Sequence, residues 1–138
     1  MSKPSQDKAL REFVIDRAEN RCEYCHYPQS EALIPQQLDH IIARQHGGAN
    51  TEDNLALSCA VCNRYKGPNL SSIDPQTTEI TALYNPRKQI WAEHFALDTE
   101  RAHISGLTPE GRATVSLLRF NDDERLGERR SLILLGNF

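Results

Sequence analysis

Long apolar runs are absent from this sequence, and so is an excess of positive charge. No apolar stretch approaches the roughly 20 residues that a helix needs to cross a bilayer, so an integral membrane protein is not expected. The segment MSKPSQDKALREF lacks the apolar stretch of a secretory signal. The expected location is therefore the cytoplasm.

The formal net charge is −3 at pH 7, which counts mildly against a nucleic-acid ligand because phosphate binders usually carry a basic surface. Wholesale disorder is not expected at 38% hydrophobic and 25% charged residues. A chain of 138 residues can bury one modest core, which predicts a single domain over residues 1–138. The sequence has no internal repeat, no glycine-rich phosphate loop and no nucleophile elbow.

Only four cysteines occur, in two Cys-x-x-Cys pairs: Cys22 with Cys25, and Cys59 with Cys62. Lasting disulfides are not expected in a reducing compartment, whereas four thiolates suit the tetrahedral geometry of a structural Zn²⁺ ion. The insert 26–58 exceeds the roughly 15 to 20 residues of common zinc ribbons, so it must be a folded element whose ends meet at the metal. A redox pair and buried, unliganded thiols are the alternative interpretations.

The insert and the residues after it have the pattern of a β-hairpin followed by a helix. The segment QQLDHIIARQ predicts a short strand that ends near the glycine pair 47–48. The alternating leucines of NLALSC predict a half-buried second strand. The segment AVCNRYK predicts a short helix that Gly67 and Pro68 end.

These residues resemble the HNH endonuclease family. Its ββα-metal motif has an Asp-His or His-His pair on the first strand, an Asn before the second strand, and a His or Asn on the helix. The matching residues here are Asp39, His40, Asn54 and Asn63, and zinc-bearing members flank the motif with two Cys-x-x-Cys pairs. The resemblance covers roughly residues 11–70.

The resemblance implies a fold of the α+β class. A small ββα-metal core, at about residues 11–70, would be stapled by the four-cysteine zinc site and flanked by an N-terminal helix. Residues 84–121 are also similar to the tail of a bacterial subgroup of small HNH proteins. The C-terminal region, at about residues 84–138, is therefore expected to be a helical extension.

The resemblance further implies metal-dependent hydrolysis of DNA phosphodiester bonds. A neutral imidazole can take a proton from water, which makes His40 the candidate general base. The oxygens of Asp39 and Asn63 suit Mg²⁺ or Mn²⁺ as the catalytic ion. Asn54 is expected to hydrogen-bond across the hairpin loop and hold His40 in its working tautomer. Asn63 stands where many members have histidine, which favours Mg²⁺ or Mn²⁺ over Zn²⁺ as the catalytic ion.

Each candidate residue also has a structural interpretation. His40 taken alone is typical of a satisfied structural histidine, and Asn54 and Asn63 are residue types found in turns and caps. Successive strand residues point to opposite faces, so Asp39 and His40 reach one ligand only if the strand is bent or bulged.

Other polar side chains of the motif have weaker assignments. His26, beside the first cysteine pair, is a competing zinc ligand in principle, although four cysteines already fill the shell. Arg44, Arg64 and Lys66 are candidates to contact phosphates that flank the cut, with solvated surface as the default for each one.

Outside the motif, the pattern predicts helices joined by loops. Residues 68–83 are expected to be a connector, residues 87–95 a helix, and Thr108 with Pro109 the start of another helix. The segment NDDERLGERRS is expected to be exposed, and the apolar LILLGNF to be docked or buried in a partner. An N-terminal helix should pack on the core through Leu10, Phe13, Val14 and Ala18.

Three functions follow from these patterns. The first is a DNA endonuclease dependent on Mg²⁺ or Mn²⁺, with RNA left open as a substrate because the motif reads no base. The second is a noncatalytic zinc-dependent nucleic-acid-binding module, which has no use for His40. The third is a nuclease subunit active only in a complex. A homodimer or a protein partner would bind through the C-terminal region.

Overall fold

The computed structural model describes residues 4–138, with side chains from residue 7 onward. None of the helices in residues 4–138 combines the length and the apolar character that a bilayer span requires. In chain order the elements are α1 (Pro4–Arg17), β1 (Gln37–His40), β2 (Leu55–Ser58), α2 (Ala60–Lys66), β3 (Ser71–Ile73), β4 (Ile80–Ala82), α3 (Trp91–His94), β5 (Phe95–Asp98), β6 (His103–Gly106), α4 (Pro109–Leu117) and α5 (Asp123–Leu134).

The predicted β, β, α order is confirmed by β1, β2 and α2. The two strands pair antiparallel in one unbroken register, and Cys59 caps the N-terminus of α2 by accepting from the amide of Cys62. The expectation of a half-buried second strand is wrong, because β2 is buried at every residue. Leu55 and Leu57 pack under α1, while Ala56 joins the larger core that contains the cysteines.

Helix α1 forms where the sequence predicts it and covers one side of the hairpin. Val14 is buried, and Leu10 and Ala18 pack around it. Phe13 departs from the predicted apolar face, because its side chain is 45% exposed. The guanidinium of Arg17 lies 5.2 Å above the Phe13 ring and so covers part of it.

Residues 68–83, which the sequence predicts to be a connector, contain β3 and β4, which pair as an antiparallel hairpin. The fully buried side chain of Asp74 organises the turn by accepting from the amide of Gln76 and the hydroxyl of Thr77. The same carboxylate forms a bidentate pair with Arg112 of α4, with N···O distances of 2.9 and 2.8 Å. This pair holds the hairpin against α4.

We expect Asp74→Asn to lower the midpoint of thermal unfolding by several degrees at pH 7, whereas Asp16→Asn on the exposed side of α1 should change it little. The Arg112 guanidinium holds the pKa of Asp74 well below its usual range. A carboxyl group with a lowered pKa stabilises the folded state above its unfolded pKa of about 4, and this contribution is lost as the pH falls toward the lower value. Calorimetry at pH 7 checks the prediction, and equal midpoints for the two variants would contradict it.

The prediction of a helix over residues 87–95 is too long, because α3 is a single turn that ends at His94. Phe95 already belongs to β5, where it is buried in the larger core. β5 and β6 form a second unforeseen hairpin. Helix α4 begins as predicted, with Thr108 accepting from the amide of Gly111 and a proline in the first turn.

The expected burial of the C-terminal segments is only partly met. The charged stretch is exposed at most positions but buries Arg125 and Arg129 on α5, and the apolar stretch buries Leu132. The apolar stretch leaves Leu134 and Leu135 exposed, at 81% and 72%. The cause is hydrogen bonding, since the two buried guanidinium groups donate to main-chain carbonyls that the end of α4 and the strand loops leave free.

Candidate active site and metal centre

The four cysteines converge on one buried point, as the sequence predicts. All four sulfur atoms lie within 4.8 Å of one another, and Cys25 Sγ lies 3.7 Å from Cys59 Sγ. Tetrahedral zinc with Zn–S bonds of about 2.3 Å places its sulfurs about 3.8 Å apart. The ligand set therefore fits a structural zinc ion. His26 does not join it, because its ring stacks on Trp91 at 4.0 Å.

The candidate catalytic residues are brought together by β1 and α2. Asp39, His40 and Asn63 line one open pocket of about 190 Å³ at the surface, and Arg44 lines it as well. Asn54 does not line this pocket. Three of the four predicted site residues thus face a common space that is large enough for a phosphate group.

His40 is half-buried at the end of β1. Its Nε2 atom lies 3.1 Å from Oδ1 of Asn50, a residue of the loop between the two strands that the sequence interpretation missed. An amide oxygen is an acceptor, so the proton of the neutral ring belongs on Nε2 and the lone pair on Nδ1. In the sequence, the only indication of Asn50 as a partner of His40 is the polar character of the loop.

Asn54 closes the hairpin loop rather than contacting the His40 ring. Its Oδ1 accepts from the amide of Ile42 at 2.9 Å, and its Nδ2 donates to the carbonyls of Ile42 and Ala49. Position 48 requires glycine in this loop, because a Cβ atom there would lie 1.7 Å from the carbonyl oxygen of Ile42. The expected hydrogen bonding of Asn54 across the hairpin loop is thus observed, while the residue in contact with the His40 ring is Asn50.

Asp39 points inward, where two buried donors hold its carboxylate. Lys66 Nζ lies 3.1 Å from Oδ2, and the Tyr24 hydroxyl donates to the same oxygen at 2.6 Å. Lys66 also donates to the carbonyls of His40 and Ile41 at 3.2 Å. Burial raises the pKa of Asp39 above its usual value, while Lys66 and Tyr24 favour the charged form.

The expectation that Lys66 contacts substrate phosphates is wrong, because its side chain is only 3% exposed. A signal for this burial was present in the sequence. Lys66 follows Cys62 by four residues on α2, so the two side chains share one face of the helix. Because Cys62 faces the zinc site, Lys66 must face the interior as well.

Strand β1 carries no bulge, since its pairing with β2 is unbroken. Asp39 and His40 therefore leave the strand on opposite faces, although both line the pocket. Asn63 donates through Nδ2 to Oε1 of Gln37 at 2.6 Å, which leaves Oδ1 to accept. One carboxylate and one amide oxygen thus border the same pocket, a donor set that suits Mg²⁺ or Mn²⁺.

We expect Lys66→Met to lower the free energy of unfolding by about 3 to 5 kcal/mol, because it leaves the Asp39 carboxylate buried without its counter-charge. Arg64→Met, on the exposed side of the same helix, is the matched control and should have little effect. Adding Asp39→Asn to Lys66→Met should restore part of the loss, since no charge then stays unpaired. Urea unfolding of the four proteins checks the prediction, and equal losses for both lysine and arginine variants would contradict it.

One comparison with known proteins agrees with this geometry. Residues 22–69 match the family model described as HNH endonuclease. Neither the curated proteins nor the solved structures give a significant match. The matched range contains both cysteine pairs, the hairpin and α2, and an HNH domain implies a nucleic-acid substrate. Residues 22–69, called the HNH domain below, are therefore similar to the HNH endonuclease family and contain the four-cysteine cluster that fits a structural zinc ion.

Proposed function

We propose that this protein is an endonuclease that hydrolyses phosphodiester bonds in DNA with the help of Mg²⁺ or Mn²⁺. The observation that supports it best is the pocket shared by Asp39, His40 and Asn63 within the HNH domain. A structural domain would have no need to direct these three side chains toward one open, phosphate-sized space. We further propose that residues 1–138 act as a single domain in the cytoplasm, where thiols stay reduced.

His40 is the proposed general base. With its proton on Nε2, the ring donates to Asn50 and keeps the Nδ1 lone pair for a water molecule. Asn54 is a positioning residue in this scheme. By tying Ile42 to Ala49 it holds the loop that carries Asn50, and so keeps the His40 ring in one orientation.

Asp39 and Asn63 are the proposed ligands of the catalytic ion. When bound, a divalent cation there supplies positive charge to the scissile phosphate and the leaving oxygen. Lys66 has a supporting role, because its ammonium group keeps the buried Asp39 ionised and therefore able to serve as a ligand. The cation would share the carboxylate with that ammonium group.

Arg44 is the proposed phosphate contact, because it is exposed and lines the pocket. Arg64, next to Asn63, is also exposed and lies 5.0 Å from the centre of the Tyr65 ring. These local positive charges offset the acidic balance of the whole chain where the substrate would lie. Binding that depends on a few phosphate contacts should weaken as salt rises.

The test is nicking of supercoiled plasmid by the zinc-loaded protein, with Mg²⁺, with Mn²⁺ and with no added divalent ion. The proposal expects nicked circles only when Mg²⁺ or Mn²⁺ is present. DNA that is bound but never cut would instead favour the noncatalytic binding module, and cleavage of RNA alone would reassign the substrate. A protein that neither binds nor cuts would favour a nuclease subunit active only in a complex, for which the exposed Leu134 and Leu135 offer a contact surface.

A further inference from the structure

The buried guanidinium of Arg125 contacts the sulfur atoms of the zinc site. Its Nη2 atom lies 3.3 Å from Cys62 Sγ and 3.6 Å from Cys59 Sγ. Its Nη1 atom donates to the carbonyl of Leu118 at 2.8 Å and to that of Arg119 at 3.3 Å. One side chain of α5 therefore bridges the metal ligands and the C-terminal end of α4.

The charge of the zinc site explains why such a contact matters. Zn²⁺ with four thiolates carries a net charge of about −2, which burial makes costly unless donors surround the sulfurs. Two main-chain amides supply part of this, from Cys25 to Cys22 Sγ and from Cys62 to Cys59 Sγ. Within residues 7–138, Arg125 is the one cationic side chain that donates to these sulfurs.

The position of Arg125 coincides with the accessible edge of the site. Cys59 is 7% exposed, whereas the other three cysteines are fully enclosed. Cys59 lines an open groove of about 430 Å³ together with Arg125 and Glu128. A chelator or a proton that attacks the zinc site from solvent therefore meets the Cys59 sulfur beside the Arg125 guanidinium.

We propose that Arg125 controls how tightly this protein holds its zinc ion. Its positive charge and its hydrogen bonds to two sulfurs stabilise the negatively charged zinc–thiolate site, which burial would otherwise disfavour. The contact also joins α5 to the HNH domain. It therefore gives α5 a structural role, although this helix carries none of the proposed catalytic residues. This inference is independent of the proposed nuclease activity.

Arg129 is a matched control on the same helix. It is as buried as Arg125 and donates to the carbonyls of Ala102 at 2.6 Å and Phe120 at 2.7 Å. It makes no hydrogen bond to the cysteine sulfurs. Arg129→Gln therefore removes contacts that hold α5 in place but leaves the zinc ligands unchanged. Arg125→Gln removes contacts that hold α5 in place and also removes the hydrogen bonds to the zinc ligands.

The first measurement is the apparent zinc affinity, obtained by competition with a chromophoric chelator, for Arg125→Gln, Arg125→Lys and Arg129→Gln. We expect Arg125→Gln to bind zinc about 10- to 100-fold more weakly than the wild type, and Arg129→Gln to stay close to it. Arg125→Lys should fall between them, because one ammonium group cannot reach both sulfurs and Leu118 together. Circular dichroism at saturating zinc shows that each variant is folded.

The second measurement is the absorption spectrum of the cobalt-substituted proteins. Losing a hydrogen bond raises the energy of the sulfur lone pairs, so the thiolate-to-cobalt band should move to longer wavelength in Arg125→Gln and stay in place in Arg129→Gln. Equal zinc affinities for the two glutamine variants, with unchanged cobalt bands, would overturn the proposal and leave Arg125 as a helix anchor only. Wild-type affinity in Arg125→Lys together with an unshifted band would overturn it as well.

Discussion

Replacing His40 by alanine is expected to lower the rate of plasmid nicking by about 10²- to 10⁴-fold in Mg²⁺ or Mn²⁺, the range typical for loss of a general base. The physical reason is that no other imidazole lines the pocket of Asp39 and Asn63. The alanine variant therefore removes the proposed general base and leaves the two proposed metal ligands in place. The measurement is the initial rate of nicking at saturating divalent ion.

The matched control is His46→Ala, in the same interstrand loop but exposed and outside the pocket. It should nick at the wild-type rate. Both variants should contain one zinc ion per chain, because neither residue contacts the four cysteines. A His40 variant that nicks as fast as the His46 variant would remove His40 from the mechanism and point to hydroxide supplied without a protein base.

Removing the zinc ion, or replacing Cys62 by serine, is expected to unfold the HNH domain. Structural zinc contributes about 10 to 16 kcal/mol in small zinc domains, while a whole domain is stable by only about 5 to 15 kcal/mol. The zinc site joins the segment that carries Cys22 and Cys25 to the end of β2 and the N-terminus of α2. Through Arg125 it also joins α5.

Circular dichroism during chelator treatment, with zinc content measured in parallel, checks this second prediction. The unfolding transition should lose its cooperativity as zinc leaves, and returning zinc to the wild type should restore it. Cys62→Ser should not recover, because its serine oxygen is a poor replacement for thiolate. A zinc-free protein with an unchanged transition would show that the apolar core around Phe95 and Phe120 is sufficient by itself.

The two predictions distinguish a loss of catalysis from a loss of the folded structure. His40→Ala should remain folded, zinc-loaded and able to bind DNA, and should fail only in cleavage. Cys62→Ser should be unfolded, should lack zinc, and should neither bind nor cleave DNA. A pattern in which the cysteine variant alone loses DNA binding, while His40→Ala and the wild type are equally inactive, would favour the noncatalytic binding module.

Features that depend on neighbouring residues in the chain could be predicted from the sequence. Strand pairing follows from short apolar segments joined by a glycine-containing loop, and α2 from its cysteine cap and terminal glycine. The zinc site follows because two cysteine pairs have few other uses in a reducing compartment. The hairpin of β3 and β4 could not be predicted, because its turn depends on a buried pair between Asp74 and Arg112.

The sequence by itself therefore determined the ββα order, the four-cysteine cluster and the residue types that surround the pocket. The tertiary structure decided what the buried polar side chains contact. Lys66 became the counter-charge of Asp39, 27 residues away, and Arg125 the partner of Cys62, 63 residues away. The physical reason is that a buried charge persists only where distant elements supply its partner, and local sequence patterns carry no record of which elements meet.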